Sequence, residues 1–210
     1  MKAIARFGKQ MVAAAIVAGA IFSAAGLAAD PAWAGYDEGL QARQRGDFAT
    51  AIKEWTAAAD QGDARAQFSL GAMYRNGEGV APSATEAANW YRKAAGQGHA
   101  QAQYSLGVLY QNGTGVTKDD AIAASWYLQA ARQGYVQAQY NIAVMYQLGT
   151  GVQADPVEAL AWLILANSNG HPGAEATGGR LAQSLKPEQV QAAQRKAEQY
   201  DLAIPANPPR

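Results

Sequence analysis

The chain has 210 residues, a formal net charge of zero and no cysteine. The missing cysteine excludes disulfides, thiol catalysis, cysteine-ligated metal and a lipid-modified N-terminal cysteine. No basic excess marks a nucleic-acid footprint, and the length suits one domain held together by packing alone.

At the N-terminus, Lys2, Arg6 and Lys9 give a positive start, and Met11 to Phe22 is apolar and uncharged. Ala32-Trp33-Ala34 then places small residues at −3 and −1 before Gly35. This layout predicts a secretory signal peptide over residues 1–34, cleaved after Ala34, and hence a periplasmic or secreted protein. An earlier cut near Ala28 or Ala29 also fits, and an uncleaved anchor is the alternative. The apolar stretch is shorter than the ~20 residues of a membrane span, so none is expected after cleavage. Cleavage leaves 14 Lys+Arg against 16 Asp+Glu, a formal charge of −2.

Residues 36–61 read as a short first unit, with Ala51, Ile52, Trp55, Ala58 and Ala59 on one helical face. A 36-residue self-repeat then runs three times, over 62–97, 98–133 and 134–169. Repeats of this length stack, each burying a face only against its neighbours. In the middle copy, Ala102, Leu106, Gly107 and Tyr110 share one face of a first helix. Gly107 costs roughly 1 kcal/mol of helix propensity, which points to close helix packing there. Asn112-Gly113 predicts a left-handed cap, Val116 a residue docked back on the core, and Asp119 or Thr117 the next N-cap. Ala123, Trp126, Tyr127, Ala130 and Ala131 line the second helix. Trp90, Trp126 and Trp162 share one register position and Tyr74, Tyr110 and Tyr146 another, and such strict recurrence reads as core. Ser83-Ala84-Thr85-Glu86 fits a capping box, and Asp155-Pro156 a cap before a first-turn proline. A fourth copy opens at Gly170 and decays. Residues 170–204 read as a degenerate capping unit whose last helix starts near Lys186-Pro187. Residues 205–210 form a proline-rich tail.

The pattern Ala-x-x-x-Leu-Gly-x-x-Tyr-x-x-Gly-x-Gly-Val, followed by Ala-x-x-Trp-Tyr-x-x-Ala-Ala-x-x-Gly, resembles the Sel1-like repeat of the tetratricopeptide superfamily. Gly46-Asp47-Phe48 likewise resembles a tetratricopeptide turn. The resemblance implies an all-α, right-handed superhelical solenoid of antiparallel helix pairs whose first helices line the concave side. Carried over position by position, the family's ligand positions fall on Arg65, Phe68, Ala72, Arg75 and Asn76 in the first copy. They fall on Gln101, Tyr104, Val108, Gln111 and Asn112 in the second, and on Gln137 (in strict register), Tyr140, Val144, Gln147 and Leu148 in the third. Amides and rings suit an extended peptide, although packing between neighbouring helices accounts for the rings equally well.

Chemistry beyond binding has no residues to carry it. His99 and His171 sit two periods apart and read as exposed helix-start residues, no metal ligand set is present, and no cofactor is expected. Gly-Glu-Gly-Val and Gly-Thr-Gly-Val lack the context of a phosphate loop. Asp119-Asp120 point about 100° apart on a helix and read as cap and first-turn charge. The resemblance therefore implies a non-enzymatic scaffold or adaptor of the bacterial cell envelope that binds a protein or peptide, restraining a sensor or scaffolding an export complex. The alternative is a protein that binds or hydrolyses cell-wall fragments or β-lactams, as proposed for cysteine-rich relatives, whose cysteines this chain lacks. Open-ended self-assembly is disfavoured by the capped last unit.

Overall fold

The computed structural model describes the backbone of residues 31–204 and side chains from Gly35 onward. Residues 1–30 of the expected signal peptide and the expected tail at 205–210 lie outside the described residues. Among the described residues there are ten helices and no strand. They are α1 (Pro31–Gln44), α2 (Phe48–Asp60), α3 (Ala64–Asn76), α4 (Ala84–Gly96), α5 (Ala100–Asn112), α6 (Asp120–Arg132), α7 (Val136–Leu148), α8 (Pro156–Ser168), α9 (Ala174–Ser184) and α10 (Pro187–Ala203). Helices pair within a unit as α1–α2, α3–α4, α5–α6 and α7–α8, and each second helix packs on the first helix of the next unit. The chain is an all-α solenoid. α1 begins at Pro31, so a cut after Ala34 would trim its first turn.

Local chemistry sets these boundaries. Asp63, Ser83, Asp119 and Asp155 cap their helices by accepting from backbone N–H groups two or three residues further along. Gly77, Gly113 and Gly149 close α3, α5 and α7 in the left-handed region at φ 73°, 70° and 70°. Two residues on, a second glycine serves the next level of structure. A Cβ at Gly115 would lie 2.3 Å from the Ala84 carbonyl carbon at the start of α4, and one at Gly151 would lie 2.1 Å from Asp120 O at the start of α6. The Gly-x-Gly loop is therefore both a turn and the seat of one unit on its predecessor.

Within a unit, first-helix glycine receives second-helix ring. Cβ atoms at Gly71 and Gly107 would stand 2.6 and 2.7 Å from the rings of Tyr91 and Tyr127. Both tyrosines are fully buried. The third unit exchanges both members of the pair together, to Ala143 and Leu163. In the first unit Gly39 takes Trp55, whose indole donates to Tyr36 O at 3.0 Å. The sequence pattern puts the repeated tryptophan in the core; Trp162 is buried there, but Trp90 and Trp126 are only half-buried, and in their units the tyrosine one residue later fills the interior.

Between units the link is polar. Gln67, Gln103 and Gln139 are buried in the first helices. Each donates to a carbonyl in the last turn of the preceding second helix: Ala59 at 3.1 Å, Ala95 at 3.2 Å and Ala131 at 3.3 Å. Each accepts in turn from the C-cap amide of its own unit: Gln97 at 2.8 Å, Gln133 at 2.7 Å and Asn169 at 3.1 Å.

The C-terminal end departs from the repeat. α9 packs on α8 as a fourth first helix should, but α10 also packs on α8 instead of completing a hairpin with α9. α8 is accordingly apolar on the side its predecessors turn to solvent: Ala161 and Leu165 are buried where the earlier units expose Asn89, Ser125, Lys93 and Gln129. Tyr200 stacks on Trp162 with ring centroids 4.6 Å apart and donates to Glu158 Oε2 at 2.8 Å, while Lys196 pairs with Glu158. Burial and this carboxylate neighbour push the Tyr200 hydroxyl up to about 12.

Gly107→Ala is expected to destabilise the fold by about 1–3 kcal/mol through overpacking, despite its helix-propensity gain of about 1 kcal/mol. The pair Gly107→Ala/Tyr127→Leu, which copies the third unit, should lose less than the sum of its single changes in urea unfolding. Gln103→Leu strips the Ala95 carbonyl and the Gln133 amide of a buried partner, and calorimetry should show a loss of about 1–3 kcal/mol with a lower melting temperature.

Candidate partner-binding face

The buried side of each first helix is occupied by the alanine, glutamine, leucine or isoleucine, and glycine or alanine already described. The opposite stripe of α3, α5 and α7 carries the positions that the resemblance singles out. Of these, Arg75, Asn76, Gln101, Asn112, Gln137, Gln147 and Leu148 are exposed, and Arg65, Phe68, Tyr104, Gln111 and Tyr140 are half-buried.

The three rings have structural partners. Phe68 stacks on His99 (centroids 4.9 Å), Tyr104 packs against Tyr135 (5.0 Å) and Tyr140 stacks on His171 (4.1 Å). Phe68 and Tyr104 also tilt against Tyr91 and Tyr127 at 5.4 and 5.7 Å. Each ring thus closes the seam to the residue that follows the next boundary glycine. The expectation of exposed histidines is corrected by the same contacts: both imidazoles are half-buried under a ring. His99 Nδ1 accepts from Ala102 N at 3.2 Å and caps α5, and His171 Nδ1 accepts from Gly173 N at 3.2 Å.

Arg65 is bound to its own helix cap, with Nε and Nη2 on the Asp63 carboxylate at 3.2 and 2.7 Å, and its guanidinium lies 4.3 Å from the centre of the Tyr36 ring. Burial alone would raise the Asp63 carboxyl, but Arg65 and two backbone N–H groups hold it below its ordinary value. Asn76 donates to Glu78 at 2.8 Å, and Glu78 also accepts from Arg43 at 2.7 and 3.0 Å, joining α1 to the α3–α4 loop. Gln111 accepts from the Tyr127 hydroxyl at 2.9 Å, and burial pushes that hydroxyl up to about 12. A groove of about 300 Å³ lies between α1, α3 and the start of α5, lined among others by Tyr36, Leu40, Trp55, Phe68 and Gln101.

The structural glutamines Gln67, Gln103 and Gln139 lie outside the predicted set, as do Tyr36 and the residues after the boundary glycines. The glutamines had a signal: an amide recurring every 36 residues beside a helix's most regular apolar positions is a polar group kept inside. Among the described residues, no three His, Cys, Asp or Glu side chains gather at metal-binding distance, and no helix is long and apolar enough to cross a membrane.

With this geometry established, similarity to known proteins places the chain. The Sel1 repeat family model matches residues 64–99, 100–135 and 136–171, slightly more than half the sequence. A Sel1 repeat protein from Oxalobacter formigenes superposes with a TM-score of 0.69 at 31% identity, covering 78% of this chain and 70% of that one. A protective antigen present in uropathogenic Escherichia coli strains, described as displaying an SLR fold, superposes with a TM-score of 0.73 at 32% identity. That match covers 82% of this chain and 38% of the antigen, so the chain spans well under half of its length. Comparison with curated proteins finds no match. The chain belongs to the Sel1 repeat family.

His99 gives the face a pH signature. Burial holds its imidazole below the ordinary value of 6.5, and its cap bond requires the neutral form. The unfolded chain therefore takes up the proton first as pH falls. The His99 contribution is complete above pH 6.5 and is lost progressively below it. His99→Asn keeps a cap acceptor that does not titrate. Urea unfolding between neutral and mildly acid pH should show a shallower stability loss for this variant than for the native chain.

Proposed function

We propose that this protein is a non-enzymatic adaptor exported to the bacterial cell envelope, where the open stripe of its first helices holds an extended segment of another protein. One observation carries the reading. The repeat spends its buried amides, Gln67, Gln103 and Gln139, on joining units, yet it keeps other amides exposed on its first helices, Gln101 and Gln137 in register near the helix starts and Asn112 and Gln147 at the helix ends. Among the described residues no bond between units uses those side chains, and they share their helices with the half-buried rings Tyr104 and Tyr140, which recur in register with Phe68. Exposed amides pair with a peptide backbone, and the free ring edges take its side chains. The groove beside Tyr36 continues this face to the N-terminal unit. Export follows from the signal-like layout of residues 1–34.

Since the rings close the seams between units, truncating them would confound binding with folding. The test uses the exposed set instead. The full chain is expressed with its own N-terminus, recovered from the periplasmic fraction and used for crosslinked affinity capture, beside Gln101→Ala/Asn112→Ala/Gln137→Ala/Gln147→Ala. The native protein is expected in that fraction with an N-terminus at Gly35, and to retain a client that the variant loses with unchanged circular dichroism. Equal capture by both proteins would overturn the assignment of this face.

A further inference from the structure

Where the three units differ from one another, their register exposes a missing group. In the second unit the buried Tyr127 hydroxyl is satisfied by Gln111 at 2.9 Å. In the third, Leu163 replaces the tyrosine and needs no partner. The first unit keeps the tyrosine, as Tyr91, but places Arg75 at the glutamine position. A guanidinium has five donors and no acceptor, so Arg75 cannot do for Tyr91 what Gln111 does for Tyr127. The Tyr91 hydroxyl is in fact fully buried with no hydrogen-bond partner among the described residues. Arg75 lies close enough to act on it electrostatically.

Arg75 itself is exposed and makes no ion pair among the described residues. Its Nε donates to Asn76 Oδ1 at 3.3 Å. Asn76 in turn donates to Glu78, which feels the Arg75 charge but is already held by both guanidinium contacts of Arg43. A buried donor without an acceptor and a cation without a bound anion thus share one site on the face assigned to the partner. One chemical group supplies both needs. A carboxylate accepts from the hydroxyl with one oxygen and pairs with the guanidinium through the other. A neutral amide would serve the hydroxyl alone.

We propose that the first unit is a carboxylate-binding subsite, in which Arg75 and the Tyr91 hydroxyl together hold an acidic side chain of the bound segment. This deepens the adaptor reading and rests on it. The stripe continues on both sides of the subsite, to Phe68 and Arg65 further back along α3 and to Tyr104 on the next unit, so the acid belongs to a residue within the segment. The hydroxyl is closed to solvent, and the carboxylate reaches it as Arg75 swings outward on its flexible stem.

The test uses the full chain with arginine labelled with nitrogen-15, and follows the Arg75 Nε–H signal during titration with acetyl-Ala-Glu-Ala-amide. A saturating shift is expected, at least about tenfold weaker for acetyl-Ala-Gln-Ala-amide. Tyr91→Phe removes one oxygen and should weaken glutamyl-peptide binding about tenfold while leaving the fold intact. Arg75→Gln should abolish the response of the neighbouring signals and slow exchange of the Tyr91 hydroxyl proton, because the introduced amide now accepts from it as Gln111 does from Tyr127. An Arg75 signal that does not saturate, an equal response to the glutamine peptide or to inorganic phosphate, or Tyr91→Phe binding like the native chain would each overturn the subsite. A captured client that survives Arg75→Gln overturns the subsite and leaves the adaptor reading standing. Failure of the native protein to retain any client overturns the adaptor reading itself.

Discussion

One buried amide per unit holds the solenoid in register. Gln67, Gln103 and Gln139 each reach back to the last turn of the preceding second helix and are gripped from the other side by the C-cap amide of their own unit. A helix end leaves carbonyls without partners, and in a stack each such end is covered by the next unit, where water cannot serve it. An apolar residue at the glutamine position would pack, but it would leave the carbonyl with only backbone partners, the N–H of the boundary glycine among them, and the cap amide without its acceptor. The bond is also directional. Apolar faces alone tolerate sliding, whereas a donor and an acceptor used on opposite sides of one side chain fix the spacing of three consecutive helices.

Close approach follows from that spacing. Alanines fill most of the interior, so the helices lie near one another, and each unit needs one large group and one small or absent side chain to fill the remaining space. Gly71 with Tyr91, Gly107 with Tyr127 and Ala143 with Leu163 are three solutions of the same volume requirement. The end of the stack meets it differently. α10 crosses back over α8, so the last second helix is apolar on the side that its predecessors turn to solvent, and the Glu158, Lys196 and Tyr200 cluster anchors the crossing. α10 thereby covers apolar surface of α8 that would otherwise face solvent.

The proposed partner face is what remains after these demands are met. Its rings are committed on one side to the seams between units, where they pack on His99, Tyr135 and His171, and they offer an edge on the other. Its exposed amides serve no bond between units. The first unit differs in charge from the other two, with Arg65 committed to Asp63 and Arg75 near enough to act electrostatically on a tyrosine hydroxyl without a hydrogen-bond partner among the described residues. A segment lying along the stripe would therefore meet a graded surface, cationic at the first repeat and neutral, amide-rich and aromatic beyond it.

Much of this was legible in the chain. A strict 36-residue period, helical spacing of small and apolar residues, cap residues before each helix and glycines after it specify helices, turns and stacking, because all of these depend on contacts a few residues apart or repeated identically. The resemblance to the Sel1-like repeat supplied the first-helix positions proposed to face a partner. Tertiary structure alone decided which member of the Trp-Tyr pair enters the core, since adjacent helical residues point about 100° apart and only the neighbouring helix says which direction is inside. It decided that the second glycine of each loop seats on the preceding unit, that the histidines lie under rings, and that α10 folds onto α8 and not α9. It also separated the glutamines that join units from those that face outward. These outcomes depend on the relative placement of segments about 30 to 40 residues apart, where the same side chain is satisfied or orphaned according to what the next unit brings against it.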